Sequence, residues 1–584
     1  MSRQKRLNYC QTKPQSICLL CPKREAFIGF ISILAFMLLF ARYYYLQIIK
    51  GQHYQALSQK QHQQLLNFSG ERGKIYTQDN YLLVGNHRIY RLYATASQVD
   101  TPEWLYYQLQ PLILDDSQAA PTLKSATLFA QQMSEKKNTQ GIVVLAQKIS
   151  QKTKEKIDAL NLSGLVFEAE LVRFYPEASM AAHTIGFLSK DGSSGHYGIE
   201  GGLNKELEGK TSQALLDVDV YKNPIHLNSG LLQQNLDGRD IYLTIRRDLQ
   251  ILAEDALNQG MEKYGASRGE IIITDPKTGK ILALATSPTY NPDQYPLFDA
   301  NLYKNPAATD LFEPGSTFKI LTVAAGIDSQ VISPDTKCQK CQGPRKVADA
   351  TIRTWNNVYY PQITMTQALE KSDNTAMVYI TDLLGTDRFK NYLKKFGLGQ
   401  PLNLEVQDDV KPNFPEVWGP VEVATRSFGQ GISLSSLQLV RAVGAIANEG
   451  KMMRLYIVDQ AYDKSSNQYY QTEPEVIEQV ISASSAKTVS QMMQAAAQYG
   501  EAQYIYKSTN LIAGKTGTAQ IPLQGKYSKD ETIASFIGFA PYYDPQFLML
   551  VKFERPKSSP WAAETAAVTW KEMAEKLFVI FNVH

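Results

Sequence analysis

From Ala26 to Ala41 the chain reads AFIGFISILAFMLLFA without a charge, and after Arg42 the run YYYLQII carries the apolar character on to Ile49. About 24 such residues at ~1.5 Å rise cross a ~30 Å hydrocarbon layer, so the pattern predicts a membrane-spanning helix. The tyrosines suit an interface, and Arg42 can snorkel towards it. The Gln-rich stretch Gly51–Leu66 then reads as a helix leaving that segment. Gly141–Ala146 (GIVVLA) has strand character, and Ser150–Leu160 has helical character. Near Leu236-Asp-Gly238 the pattern changes. Asp240–Ile245 alternates like a strand, and Asp248–Tyr264 places Leu249, Leu252, Leu257 and Met261 at helical spacing. Two β-rich or apolar runs, Glu270–Thr274 and Lys280–Ala285, are joined by Asp275-Pro-Lys-Thr-Gly279. Pro sets the turn's φ, Asp caps it and Gly supplies a positive φ, so the segment predicts a hairpin. The order of strands, helices and strands from here predicts an α+β domain of about 350 residues.

At 584 residues the chain exceeds one core and calls for several domains. A hydrophobic share of 44%, a charged share of 20% and a net charge of +3 describe an ordinary folded protein. That near-balance gives no reason to expect nucleic acid. Before Glu25 stand Arg3, Lys5, Arg6, Lys13, Lys23 and Arg24 with no acidic residue. The positive-inside rule therefore expects a short cytoplasmic N-terminus and an extracytoplasmic bulk. No small-x-small site follows the apolar run, which favours an uncleaved anchor over a signal peptide. Cys10, Cys18 and Cys21 fall on the cytoplasmic side and read as free thiols. Cys338 and Cys341 lie outside, where a disulfide and two free thiols are both open. No metal site is expected.

Three short patterns together make a serine acyl-transfer site: Ser-x-x-Lys, Ser-x-Asn and Lys-Thr-Gly. Each occurs more than once here, so context has to choose. Ser-x-x-Lys occurs at Ser2, Ser134, Ser316 and Ser484. Ser316 follows Pro314-Gly315 and opens an apolar helix, where the helix dipole favours developing negative charge. Lys319 lies on the same face and can reach the hydroxyl as its base, provided it is neutral. Ser2 is cytoplasmic, Ser134 sits on a polar face, and Ser484 reads as a helix cap. Ser-x-Asn occurs at Ser372, Ser465 and Ser508. Only Ser372-Asp-Asn374 follows a helix-like run; Ser372 suits a proton relay and Asn374 a hold on a substrate amide. Lys-Thr-Gly occurs at Lys277, in the hairpin turn, and at Lys515, in an edge-strand context. Lys515 would supply positive charge, Thr516 a hydroxyl for a terminal carboxylate, and Gly517 room for a substrate backbone. The N–H groups of Ser316 and Thr518 suit an oxyanion hole. A nucleotide-binding reading of Gly514-Lys-Thr516 fails, because a P-loop needs Gly where Thr509 stands.

With these residues in place the chain resembles a class B penicillin-binding protein, a peptidoglycan DD-transpeptidase. Arg72-Gly-Lys-Ile75, Leu82-Leu-Val-Gly-Asn86, Arg173-Phe-Tyr-Pro176, Ile185-Gly-Phe187 and Gly198-Ile-Glu200 are similar to the family's pedestal motifs. Leu243-Thr-Ile245, Phe428-Gly-Gln-Gly431 and Phe536-Ile-Gly-Phe-Ala540 fit its transpeptidase pattern. Arg246 departs from it, where the family often has Asp, which puts a linker salt bridge in doubt.

The resemblance implies a DD-peptidase/β-lactamase-like α+β domain, an antiparallel sheet flanked by helices, on an elongated mixed α/β pedestal with one transmembrane helix. The expected division is a basic tail at 1–25, an anchor at 26–49, a pedestal at 50–235 and a penicillin-binding transpeptidase domain at 236–584. It implies attack by Ser316 on the D-Ala-D-Ala amide of a stem peptide, cross-linking through an acyl-enzyme, and acylation by β-lactams. No cofactor is implied, and a SEDS-type glycan polymerase is the expected membrane partner. A β-lactamase would need a deacylating glutamate. Its Glu-x-x-Leu-Asn pattern occurs as Glu200-Gly-Gly-Leu-Asn204, which precedes the nucleophile. A β-lactam receptor would need a larger cytoplasmic part, and a non-catalytic scaffold would not need intact motifs.

Overall fold

The computed structural model describes residues 22–122, 124–137, 141–217, 235–407, 410–503, 511–523 and 526–583. Ser2, the first four basic residues, Cys10, Cys18, Cys21 and Ser508-Thr-Asn510 lie outside the described residues. The described residues form two compact units, one holding those up to Phe68 with Thr211–Asp217, the other those of Ser69–Lys210 and from Asn235 onward.

In the first unit the helix Pro22–Tyr44 runs on as a π-helical turn, Tyr45–Ile49. Ala26–Ile49, 24 residues with a mean hydropathy of 2.0 over an 18-residue window, is long and apolar enough to cross a membrane. The Arg42 and Lys50 cations flank the Tyr45 ring at 5.7 and 5.6 Å. The next helix is Gly51–His62 rather than Gly51–Leu66. From Gln63 the chain is extended and pairs with Thr211–Asp217. The glutamine run carries no apolar stripe to hold a longer helix, so strand pairing prevails there.

In the second unit the strand Leu82–Thr95 pairs antiparallel with Ile142–Ser150 and with Leu165–Phe174. Leu92 and Ala94 from it pack with Leu105, Leu109, Phe129, Ile149 and Ile157. These come partly from the helices Pro102–Leu114, Ala126–Lys136 and Gln151–Asp158. Ser134 is exposed on the second of these. The pedestal motifs converge on one carboxylate. The Glu200 carboxylate, fully buried, accepts from Arg72 Nε at 2.8 Å and from Arg173 Nε at 2.6 Å, and pairs with Arg72 Nη2 at 2.6 Å. Arg173 Nη1 also donates to the Gly73 carbonyl and to Asn86 Oδ1, both at 2.8 Å. Asn86 Nδ2 donates to the Arg72 carbonyl at 2.6 Å. Glu200 is thus a structural anion of the pedestal, which disposes of it as a deacylating glutamate.

The strand Asp240–Leu243 runs parallel to Ile75–Tyr76 and antiparallel to Val458–Asp463, so one sheet spans the segments before and after it. Arg246, just beyond, pairs with Asp248 at 2.6 Å. The helix after it is Arg247–Tyr264.

A separate five-stranded antiparallel sheet has the order Ile281–Ser287, Arg268–Thr274, Phe547–Glu554, Lys526–Ala540, Ala513–Leu523. Side chains alternate across it as strand geometry requires. Ile271, Ile273, Phe547, Met549, Val551 and Phe553 meet Leu249, Leu257, Trp570 and Leu577 of the helices Arg247–Tyr264 and Ala566–Ile580. Ile272, Ile537, Leu548 and Leu550 face the other way, into a larger core with the helices Lys319–Asp328, Asn374–Leu384 and Ser436–Ala447.

Arg268–Thr274 and Ile281–Ser287 form the expected hairpin. In its turn Asp275 Oδ1 accepts from Lys277 N at 2.9 Å, Thr278 Oγ1 donates to Asp275 Oδ2 at 2.7 Å, and Gly279 has φ +84°. Lys277 reaches outward to Asp544. The other Lys-Thr-Gly lies on the sheet's edge strand, paired on one side only.

Candidate active site

Ser316 sits in a 3-10 turn, Gly315–Phe318, that leads directly into the buried helix Lys319–Asp328. Gly315 has φ +55°, and a Cβ there would stand 3.2 Å from Ala519 Cβ on the edge strand. Glycine therefore lets the start of this helix press against the Lys-Thr-Gly strand. Gly517 does the same from the strand's side: a Cβ would lie 2.7 Å from both Thr317 Cγ2 and Ser535 Oγ. Gly429, of Phe428-Gly-Gln-Gly431, accepts at its carbonyl from Gly315 N at 3.1 Å and so braces the turn from behind.

Lys319 is fully buried. Its Nζ donates to the Ser372 carbonyl at 2.5 Å and to Ser372 Oγ at 3.1 Å. Ser372 can offer both groups because it holds a left-handed backbone, φ +55°, which costs about 1–3 kcal/mol in a non-glycine residue. Among the described residues the Ser316 hydroxyl is not a hydrogen-bond partner of Lys319; the amine points to Ser372. Burial, with the neighbouring Lys515 charge, pulls the Lys319 pKa down to about 7, against the opposing pull of Glu501 and Asp373. The neutral amine that a base requires is therefore well populated near neutrality.

Asp373 caps the helix Asn374–Leu384, accepting from the Thr375 and Ala376 N–H groups at 2.7 and 3.1 Å. The capping role and the Ser-x-Asn motif coexist on adjacent residues. Asn374 Nδ2 donates to the Arg353 carbonyl at 2.8 Å, which fixes the orientation of its amide. Ser465 instead lies in a surface turn organised by Asp463. Ser484 is not the cap of its helix: Ser482 accepts from Ser485 N and caps Ala483–Tyr499, because the helix begins one residue earlier than the sequence suggested.

On the edge strand Lys515 is buried, and its Nζ donates to Thr516 Oγ1 at 3.0 Å and to the Thr516 carbonyl at 3.1 Å. Burial lowers its pKa, with Glu501 acting against that. Thr518 Oγ1 accepts from Ala562 N at 3.1 Å. A cavity of about 340 Å³ opens over Ser316 and Thr518, walled by Trp355, Trp561, Glu501 and Glu564. The two indoles meet edge to face, centroids 5.3 Å apart. Sequence reasoning missed Trp355, Trp561 and Glu501; they lie in loops or at a helix end, outside any motif. Cys338 and Cys341, both buried, form a disulfide.

A family model described as the penicillin binding protein transpeptidase domain matches residues 269–574, and one described as the penicillin-binding protein dimerisation domain matches 68–243. The chain belongs to the penicillin-binding protein transpeptidase family, with the two-domain make-up of a class B member. It is 28% identical over 541 residues to stage V sporulation protein D of Bacillus subtilis, covering 92% of this chain and 82% of that one. It is 28% identical over 582 residues to the peptidoglycan D,D-transpeptidase FtsI homolog of Mesostigma viride, covering 94% of each. The crystal structure of penicillin binding protein 3 of Mycobacterium tuberculosis, complexed with aztreonam, shares the fold at a TM-score of 0.66 and 24% identity, covering 89% of this chain and 98% of that one. Membership makes peptidoglycan the substrate and β-lactams the ligands of this family's domain.

Proposed function

We propose that the chain is a membrane-anchored, serine-type D-Ala-D-Ala transpeptidase. The observation that carries the reading is the buried Lys319 amine, hydrogen-bonded to Ser372, without a carboxylate ion pair among the described residues, and on the helix that follows the turn bearing Ser316. Ser316 Oγ attacks the carbonyl of the penultimate D-Ala and loses its proton to neutral Lys319, forming the acyl-enzyme. Ser372 relays that proton to the departing D-Ala amine. Ser316 N–H stabilises the oxyanion, since the first turn of a helix gives it no intrahelical partner, and Thr518 N–H is the second donor. Lys515, Thr516 and Thr518 hold the donor's terminal carboxylate, and Asn374 orients the stem-peptide amide. Gly517 leaves the edge strand open for the donor backbone. An amine of a neighbouring stem then displaces Ser316 from the acyl group, completing the cross-link.

The chain divides in this reading into a basic tail (1–25), an anchor (26–49), a pedestal (50–235) and a transpeptidase domain (236–584). The basic residues before Glu25 support a cytoplasmic N-terminus and an extracytoplasmic bulk. A SEDS-type polymerase is the membrane partner that would supply the glycan strands. The test is release of D-Ala from a stem-peptide donor by wild type and by Ser316→Ala. Release by wild type alone is expected; equal release by the variant would overturn the reading.

A further inference from the structure

Two cations, Lys319 and Lys515, are buried beside Ser316, and an uncompensated buried cation is costly. Two carboxylates act on them. Asp373 is committed through Oδ1 to capping the Asn374–Leu384 helix. Glu501 is different. It is only half-buried, it lines the Ser316 cavity, and its Oε2 accepts from Thr516 Oγ1 at 2.7 Å. Thr516 Oγ1 in turn takes the Lys515 Nζ hydrogen bond at 3.0 Å. A carboxylate of the protein thus already holds the hydroxyl assigned above to the donor's terminal carboxylate, beside the same lysine.

We infer that Glu501 is a resident counter-ion of the donor-carboxylate cradle, displaced when an anionic donor binds, and that it sets how strongly the enzyme prefers anionic donors. The inference rests on the role given above to Lys515 and Thr516. In the free enzyme Glu501 balances the cradle's charge and keeps Thr516 oriented. A donor carboxylate takes over both contacts, and Glu501 turns out into the open cavity. A donor without that charge gains nothing from Lys515. Glu501 therefore competes with the anionic donors in proportion to the hydrogen bond it gives up.

The experiment compares acylation rate constants of full-length, detergent-solubilised protein with benzylpenicillin and with its methyl ester. Wild type, Glu501→Gln and Glu501→Ala are measured, with thermal melting to confirm that each variant is folded. Losing a charge-assisted competitor should raise the acid-to-ester rate ratio about tenfold in Glu501→Ala, and less in Glu501→Gln. If Glu501 merely positions Thr516, Ala slows both reagents alike while Gln restores wild-type rates; that result, or an unchanged ratio, overturns the inference. Ser316→Ala separates the two levels. An unchanged ratio with an unreactive Ser316→Ala overturns the Glu501 inference alone, whereas a Ser316→Ala protein that still acylates overturns the reading beneath it.

Discussion

The pedestal and the active site each bury a cluster of charges, and they balance it differently. In the pedestal Glu200 is shared by Arg72 and Arg173, which also donate to the Glu200 and Gly73 carbonyls and to Asn86. In the active site Lys319 and Lys515 are equally buried, yet their hydrogen bonds go to hydroxyls and carbonyls of Ser372 and Thr516. The first arrangement fixes geometry. The second leaves a lysine whose proton is easily given up, with its pKa pulled down to about 7 by burial and by Lys515. Lys552 makes the same point within the transpeptidase fold: it is just as buried, but Glu270 at 2.8 Å and Glu554 outweigh the burial, and its pKa is raised. Burial alone does not create a base; burial without a carboxylate partner does.

The comparison can be broken at several points. Lys319→Ala should lower β-lactam acylation by roughly 10²–10⁴-fold while leaving the melting temperature near or above wild type, because it removes an uncompensated charge. A large loss of stability instead would show that Lys319 is scaffold. Glu200→Ala should do the reverse, destabilising by about 3–5 kcal/mol as two arginines lose their partner, with near-normal acylation per folded molecule. Denaturant melts and burst titration separate the two. Lys515→Ala should slow acylation by about a hundredfold, as loss of a buried charge-assisted contact to the donor carboxylate implies.

The pH dependence follows from the sign of the shift. Lys319 is protonated below about 7 and neutral above it, so acylation should rise with pH through that point. Between pH 6 and pH 8 the rise is about tenfold for a single such group; a flat profile would remove Lys319 as the base. The smallest effect belongs to the other Lys-Thr-Gly: Lys277→Ala, which loses only a surface pair with Asp544, should change acylation less than about twofold.

Much of this was legible in the sequence because local rules decide it. The turn around Asp275–Gly279 needs Asp, Pro and Gly where they stand, so the first Lys-Thr-Gly could be set aside without a structure. Ser316 and Ser372 were separable from their rivals by the apolar helix after one and the helical run before the other. What escaped depends on distant contacts. Glu501 meets Thr516 from 15 residues away, and Trp355 meets Trp561 from 206 residues away, so no spacing rule links them. The convergence of four pedestal motifs on Glu200 was likewise invisible as geometry, although its residues had been singled out. Helix limits failed where tertiary pairing intervened, as at Gln63, or where neighbouring serines compete to cap, as at Ser482 and Ser484.

The central claim, that Ser316 is the acylated nucleophile, is tested most directly by intact-protein mass after incubation with benzylpenicillin. Wild type should gain the mass of one penicilloyl group, and Ser316→Ala should gain none. A stable adduct of equal yield on Ser316→Ala, or none on folded wild type that still releases D-Ala from a donor through another residue, would contradict the account.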